Sequence, residues 1–227
     1  MRPRNFTRPA AAGALCLAYT CAGAGAALAQ SDTSQSTPAA ATAMQARIAV
    51  AHRTLDVRAG RHAVVRGRVA PNAAGILVSL QVKRGRLWKP IDRDRTDAAG
   101  RYRLRERLRR TQSSRVRVRV AGGPGVLPAQ RAVGRLNVFR TAHASWYGPG
   151  LYGNRLGCGG TLSAGTQGVA NKSLPCGARV TLRHRGRTVR VPVVDRGPYV
   201  AGREYDLTAA TAARLHFHGH GAVLVTR

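Results

Sequence analysis

Acidic residues are scarce in this chain: 9 Asp and Glu stand against 38 Lys and Arg in 227 residues, a formal net charge of +29. Lysine is scarcer still, limited to Lys83, Lys89 and Lys172, so the positive charge is almost entirely arginine. An arginine bias of this kind accompanies a GC-rich genome and does not name a function. Aromatic residues make up only 5%, and the basic stretches lack the stacking platforms that usually accompany nucleic-acid binding. Beyond the N-terminus no apolar run approaches the ~20 residues needed to cross a bilayer, which excludes a multi-pass membrane protein. Hydrophobic residues nevertheless reach 44%, enough for a packed core and against wholesale disorder.

The N-terminus reads as a targeting segment. Arg2, Arg4 and Arg8 precede an apolar stretch over 10–28, and Ala27-Leu28-Ala29 offers an A-x-A cleavage site before Gln30. A secretory signal peptide over 1–29 is expected. The alternative, a single membrane anchor, fits poorly with a stretch this rich in Ala and Gly. Tyr19-Thr20 before Cys21 does not suit a lipoprotein signal. The protein is therefore expected to be secreted or held in the cell envelope of a bacterium. Removal of 1–29 leaves two cysteines, Cys158 and Cys176, and in an oxidising compartment a lone pair is expected to form one disulfide. Residues 30–47 are mostly Ser, Thr, Ala and Gln, the composition of a flexible linker.

Over 48–141 apolar and polar residues alternate. Strands are expected at 64–69, 76–82 and 114–120, the last with valines inward and arginines outward over Arg115-Val116-Arg117-Val118-Arg119-Val120. Turn signals at 71–75, 83–86, 97–100 and 122–125 separate them. Short strands at this spacing predict an antiparallel β-sandwich with Trp88 in its core or at its edge. The segment resembles the immunoglobulin-like modules of secreted bacterial proteins. Over 48–140 it carries 23 Lys and Arg against 5 acids and no cluster with catalytic character. Its arginines either coat a solvated sheet face or hold the protein to anionic wall polymers; the polyanions met outside a bacterial cell are wall and envelope polymers, not nucleic acids.

From Ala144 onward the chain becomes rich in glycine, with apolar strands expected at 178–182, 188–194 and 222–225. Four motifs occur in order: Ala144-Ser145-Trp146-Tyr147-Gly148, Ser173-Leu174-Pro175-Cys176-Gly177, Val194-Asp195-Arg196-Gly197-Pro198-Tyr199, and Gly202-Arg203-Glu204-Tyr205-Asp206-Leu207-Thr208 before an Ala-rich helical run. In this order and spacing they resemble the double-psi β-barrel of the rare lipoprotein A family of septal peptidoglycan lytic transglycosylases, a superfamily that includes expansins. The resemblance implies an all-β protein, a six-stranded double-psi β-barrel with a short helix over 142–227 following the sandwich. It implies peptidoglycan glycan strands as substrate, cleaved at the MurNAc–GlcNAc bond without water, metal or cofactor.

On that resemblance Asp195 matches the family's catalytic aspartate. One carboxyl can protonate the glycosidic oxygen and then take the proton of the C6 hydroxyl, provided burial raises its pKa. The competing reading is an aspartate that holds turn amides or pairs with Arg196. Asp206 is expected to favour the start of the following helix, with Thr208 as N-cap, and to line the groove. Trp146 and Tyr147 either pack the first strand or stack on sugar. Thr161 and Asn171 are candidate substrate contacts, because this chain lacks the family's acidic segment: no acid occurs between Trp146 and Asp195, where Gly157-Cys158-Gly159-Gly160-Thr161-Leu162-Ser163 stands instead, and Asn171 replaces a histidine. These departures keep a non-catalytic, expansin-like glycan-binding module as the alternative. The histidines of His216-Phe217-His218-Gly219-His220 fall at a turn, and no metal site is expected there. The protein is expected to be a monomer.

Overall fold

The computed structural model describes residues 42–227. The expected signal peptide over 1–29 lies outside the described residues, as does most of the expected linker over 30–47; of the linker's last residues, Met44, Gln45 and Arg47 are already in strands.

Fifteen strands and one short helix make the described part all-β. The first ten strands are β1 (Met44–Gln45), β2 (Arg47–Thr54), β3 (Asp56–Arg58), β4 (His62–Ala70), β5 (Leu77–Arg84), β6 (Leu87–Arg95), β7 (Arg101–Arg107), β8 (Gln112–Val120), β9 (Val126–Leu127) and β10 (Ala129–Tyr147). The remainder are β11 (Val169–Ala170), β12 (Arg179–His184), β13 (Arg187–Asp195), β14 (Tyr205–Thr208), α1 (Ala209–Leu215) and β15 (Gly221–Val225).

The N-terminal strands enclose one apolar core. β2, β4 and β7 form a three-stranded antiparallel sheet, and β6, β5, β8 and the first half of β10 form the facing antiparallel run. Between them lie Val65, Val69, Val78, Leu80, Val82, Leu104 and Val118, all nearly inaccessible. Period two decides this: Val116, Val118 and Val120 of β8 are buried, while Arg115 and Arg119 are exposed. Arg117 departs from the pattern. Its guanidinium stacks 4.3 Å from the Trp88 ring centroid, and Trp88 sits half-buried on edge strand β6. The edge of β7 is closed by side chains: Asp94 and Asp92 on β6 accept the backbone N–H of Arg103 and Arg105, each at 2.6 Å.

Gly67 on β4 is fixed by close approach. A Cβ there would collide with the Ala49 carbonyl of β2 and crowd the Tyr102 hydroxyl, which donates to that same carbonyl at 3.1 Å. Gly67→Ala is expected to cost roughly 1–3 kcal/mol through overpacking, read as a lower denaturant midpoint with an unchanged m-value.

β10 is the element that positions the rest. Its 19 residues run unbroken across the expected boundary at 141/142. The first half pairs with β8 and β3, and the second half with β15 and β14. The C-terminal strands follow in the order β14-β11-β13-β12-β15-β10, and β14 pairs again with β10, so the path closes on itself. Inside lie Ala142, Ala144, Val180, Leu182, Val191, Val193, Tyr205, Leu207, Val223 and Val225, a second core separate from the first. Thr208 does occupy the N-cap position of α1, but its hydroxyl makes no capping bond: it donates to the Gly168 carbonyl and accepts the Gly168 N–H at 3.1 Å. No helix among the described residues is long and apolar enough to cross a membrane.

Candidate functional site

The site is assembled by strand neighbours rather than by sequence neighbours. Ala170 of β11 lies opposite Asp206 of β14 on one side and opposite Asp195 of β13 on the other; Asp206 in turn lies opposite Ser145 of β10. Residues opposite one another across a ladder share a face. Val191 and Val193 of β13 point into the core, so unbroken alternation would send Asp195 inward as well. A register shift prevents this: Val169 pairs with Val193 but Ala170 with Asp195, leaving Val194 as an extra residue. The bulge turns Asp195 to the outer face beside Asp206. Two interstrand spacings separate their backbones, about 10 Å.

Two loops hold Asp195. Its Oδ1 accepts the backbone N–H of Gly157 at 2.6 Å and of Arg196 at 2.8 Å, which leaves Oδ2 for other partners. Gly157 has no room for a side chain: a Cβ would stand 2.9 Å from Arg196 Cγ and 3.0 Å from Asp195 Oδ1. Cys158 and Cys176 form a disulfide, with Cα atoms 5.4 Å apart. The Arg196 guanidinium does not pair with Asp195. It turns into the 171–176 segment, donating to the Asn171 and Leu174 carbonyls at 3.0 and 2.8 Å and lying 2.8 Å from Cys176 Sγ.

Asp206 has the opposite environment. It is on β14, not in the first turn of α1, which contains no acid. Burial pushes its pKa above 3.8, and the Asp195 charge adds to that; Ser145 and Arg203 oppose it. Its Oδ1 is buried with no hydrogen-bond partner. Tyr147 completes the group. Burial raises its pKa, followed by the charge of Asp195 and the approach of that carboxylate to the hydroxyl, with a smaller push from Asp206, so the hydroxyl stays protonated. That hydroxyl lies close enough to feel both carboxylates, yet makes no hydrogen bond of proper geometry. Tyr147→Phe removes an unsatisfied polar atom, and the expected melting temperature is unchanged or higher; a fall of several degrees would show a bond that the structure does not contain.

The other sequence candidates are placed less centrally. Trp146 and Tyr147 are consecutive on a strand and face opposite sides. Trp146 is 37% exposed, and it is joined on this half of the molecule by two tyrosines that sequence reasoning did not single out, Tyr152 at 43% and Tyr199 at 81%. Tyr199 was readable only as part of the Asp195 motif. Asn171 is buried and spends both ends of its amide on backbone: Nδ2 donates to the Glu204 carbonyl, and Oδ1 accepts the N–H of Ser173 and Leu174. Its side chain holds the turn; only its backbone adjoins Asp195, donating N–H to the Asp195 carbonyl at 3.2 Å. Thr161 is exposed on the loop, bridged through its backbone to Arg155. Glu204 forms a two-pronged ion pair with Arg140 at 3.0 and 2.7 Å. His216 caps α1 in the left-handed region, φ 49°, and His184 packs edge-on to Phe217. Among the described residues no three His, Cys, Asp or Glu side chains gather in a metal-binding group.

Residues 140–226 match a family model described as lytic transglycolase. Similar curated proteins include a probable endolytic peptidoglycan transglycosylase of Synechocystis, 37% identical over 106 residues, covering 42% of this chain and 33% of that protein. One from Aquifex aeolicus is 37% identical, covering 36% of this chain and 37% of that protein. An endolytic peptidoglycan transglycosylase of Campylobacter jejuni is also 37% identical, covering 36% of this chain and 30% of that protein. The chain thus spans about a third of the length of the curated relatives it matches. Among solved structures, the Streptomyces papain inhibitor is 26% identical, covering 39% of this chain and 94% of that one, with a TM-score of 0.31.

Proposed function

We propose that this protein is a cell-envelope lytic transglycosylase acting on peptidoglycan glycan strands, because residues 140–226 match a lytic transglycolase family model and are similar to curated endolytic peptidoglycan transglycosylases. In this reading the closed path of six C-terminal strands is the double-psi barrel, and the N-terminal strands are an immunoglobulin-like sandwich. Residues 1–29 direct export.

The observation that carries the reading is the pairing of Asp195 and Asp206 on one outer face in unequal surroundings. Asp206, desolvated and with a free oxygen, is the acid: its protonated form delivers the proton to the glycosidic oxygen as the C1–O bond breaks. Asp195, held by two amides through Oδ1, offers Oδ2 to the C6 hydroxyl. It takes that proton as O6 closes on C1, giving the 1,6-anhydro end. Protons and electron pairs balance: one proton leaves Asp206 for the leaving sugar, and one arrives at Asp195 from O6. This divides between two carboxyls the roles that the sequence assigned to Asp195 alone. Tyr147, neutral and unpartnered between them, is placed to bond a sugar hydroxyl. Glycan strands without stem peptides and intact sacculi are both tested as substrates. Full-length mature protein is expected to release anhydro-ended fragments from at least one of them, and Asp195→Asn to release none. Absence of such fragments from the unaltered protein on both substrates would remove the enzymatic reading.

A glycan-binding module without bond cleavage is the second reading, favoured by the exposed rings of Trp146, Tyr152 and Tyr199. Co-sedimentation with sacculi that is undiminished in Asp195→Asn, with no fragments from either protein, would select it.

A further inference from the structure

Five arginines converge where the two cores meet. On the N-terminal side, Arg115 of β8 lies directly opposite Arg135 of β10. On the C-terminal side, Arg179 opens β12, Arg190 sits on β13 opposite Thr181, and Arg227 follows β15 with its Nε donating to the Arg179 carbonyl at 3.1 Å. The two sides are in contact: the Ser113 hydroxyl is 3.2 Å from that of Thr181. Like charges placed opposite across a ladder repel, and here no acid answers them. The ion pairs among the described residues are Arg101–Asp97, Arg140–Glu204 and Arg183–Asp56, none of which includes these five. The nearby Asp56 is already bonded to the Asn137 amide. Burial, and then the charges of Arg135, Arg179, Arg227 and Arg115, hold the Arg190 pKa below its ordinary value.

The cluster borders a cavity of about 490 Å³. Arg179, Arg190 and Arg227 line it together with hydroxyl-bearing side chains from both halves, among them Thr111, Ser114 and Thr226. No aromatic residue lines it, so a nucleobase would have nothing to stack on. A larger cavity, about 660 Å³, lies against the three-stranded sheet and is also rich in arginine. Asp94 and Asp97 share its walls, however, and Asp97 neutralises Arg101. The junction cavity, by contrast, has no acid in its walls.

We propose that the junction cavity binds the phosphates of a linear phosphodiester polymer of the bacterial wall, docking the protein on that polymer. The guanidinium fork matches the two free oxygens of a phosphodiester, and hydroxyl donors complete the shell. Cationic groups from both halves can then engage more than one phosphate of the same chain. Arg190 lies five residues before Asp195 on one strand, roughly 17 Å along it, so a bound chain passes beside the proposed reactive face. The choice of a wall polymer rests on the envelope role proposed above; the binding itself does not depend on bond cleavage, and the assay scores it separately.

The test is titration of the full mature protein with poly(glycerol phosphate), repeated with polygalacturonate and with oligo(dT) of similar charge count, at several salt concentrations. Arg179→Gln/Arg190→Gln is compared with Arg66→Gln/Arg103→Gln, which removes the same charge from the sheet face; all four residues are exposed, and unchanged melting temperatures confirm folding. The junction variant is expected to weaken poly(glycerol phosphate) binding at least tenfold and to flatten its salt slope by about one unit per arginine, while the sheet variant changes affinity less than twofold. Equal losses in the two variants would overturn the site in favour of diffuse charge. Tighter binding of polygalacturonate or of oligo(dT) than of the phosphate polymer would overturn the ligand assignment.

Discussion

Asp206→Asn is expected to lower the release of anhydro-ended fragments from sacculi by about 10²–10⁴-fold, the usual contribution of a positioned general acid, and at the same time to make the protein more stable at neutral pH. Both effects come from the same burial. The Asp206 pKa is raised above 3.8 chiefly because its charged form is desolvated. The folded state therefore binds a proton at this position more tightly than the unfolded chain does. The stability this confers is fully present below about pH 3.8, and it is lost as pH rises through the higher folded value. At neutral pH the buried carboxylate is a net cost, and Asn, which carries no charge, removes it. Melting curves are thus expected to show Asp206→Asn above the unaltered protein at pH 7, with the advantage shrinking as pH falls toward 3.8. Activity follows the opposite logic. It needs the protonated form, so the rate of the unaltered protein should rise as pH falls from neutral toward the Asp206 pKa. A variant less stable at pH 7, or a rate that climbs with pH across this range, would assign Asp206 a structural part instead. Such an exchange of stability for a poised acid is the pattern expected when a site must keep a proton that solvent would remove.

Much of the fold was legible because most strands obey period two. Over 116–120 of β8 every second residue is a buried valine, and Arg117 alone of the arginines is partly covered; β12, β13 and β15 were placed within two residues of their observed ends. β10 was not legible as one strand. Its residues Arg135 to Phe139 mix apolar and polar side chains, because Leu136, Asn137, Val138 and Phe139 are all buried between the two halves of the molecule. A strand covered on both faces loses the alternation that identifies it. The site was half legible. Asp195 is carried by a local motif, and local motifs survive in a sequence. Asp206 looked like a helix-start acid because Leu207 and Thr208 lead into an alanine run. Its actual partners, Ser145 and Ala170, are 61 and 36 residues away and are set only by strand pairing. The bulge at Val194 that aims Asp195 outward has no sequence signature at all. For Asn171, residue type suggested a sugar contact, but an Asn side chain can equally hold the turn that follows it, and here it does.

Replacing both cysteines, Cys158→Ser/Cys176→Ser, is expected to cost about 3 kcal/mol, the chain-entropy value for a loop of this length. A loss of that size corresponds to a fall of roughly 6–12 °C in melting temperature for a chain of this size. The two cysteines flank β13 just where the site is built: Cys158 donates its N–H to the Val194 carbonyl at 3.2 Å, and Gly177, next to Cys176, donates to the Val193 carbonyl at 2.8 Å. Beside Cys158 stands the glycine-rich segment 157–163, and Gly157 at its edge gives Asp195 one of its two amide donors. The disulfide therefore constrains a glycine-rich segment, 157–163, whose buried hydrophobic side chain is Leu162. Loosening that loop frees the Gly157 amide and lets the Asp195 carboxyl turn. Activity at 25 °C is accordingly expected to fall in the double variant although the protein remains folded, and dithiothreitol should reproduce both losses in the unaltered protein while leaving the double variant unaffected. A shift under 2 °C, with activity retained, would show that the backbone bonds to Val193 and Val194 hold the loop without the covalent link.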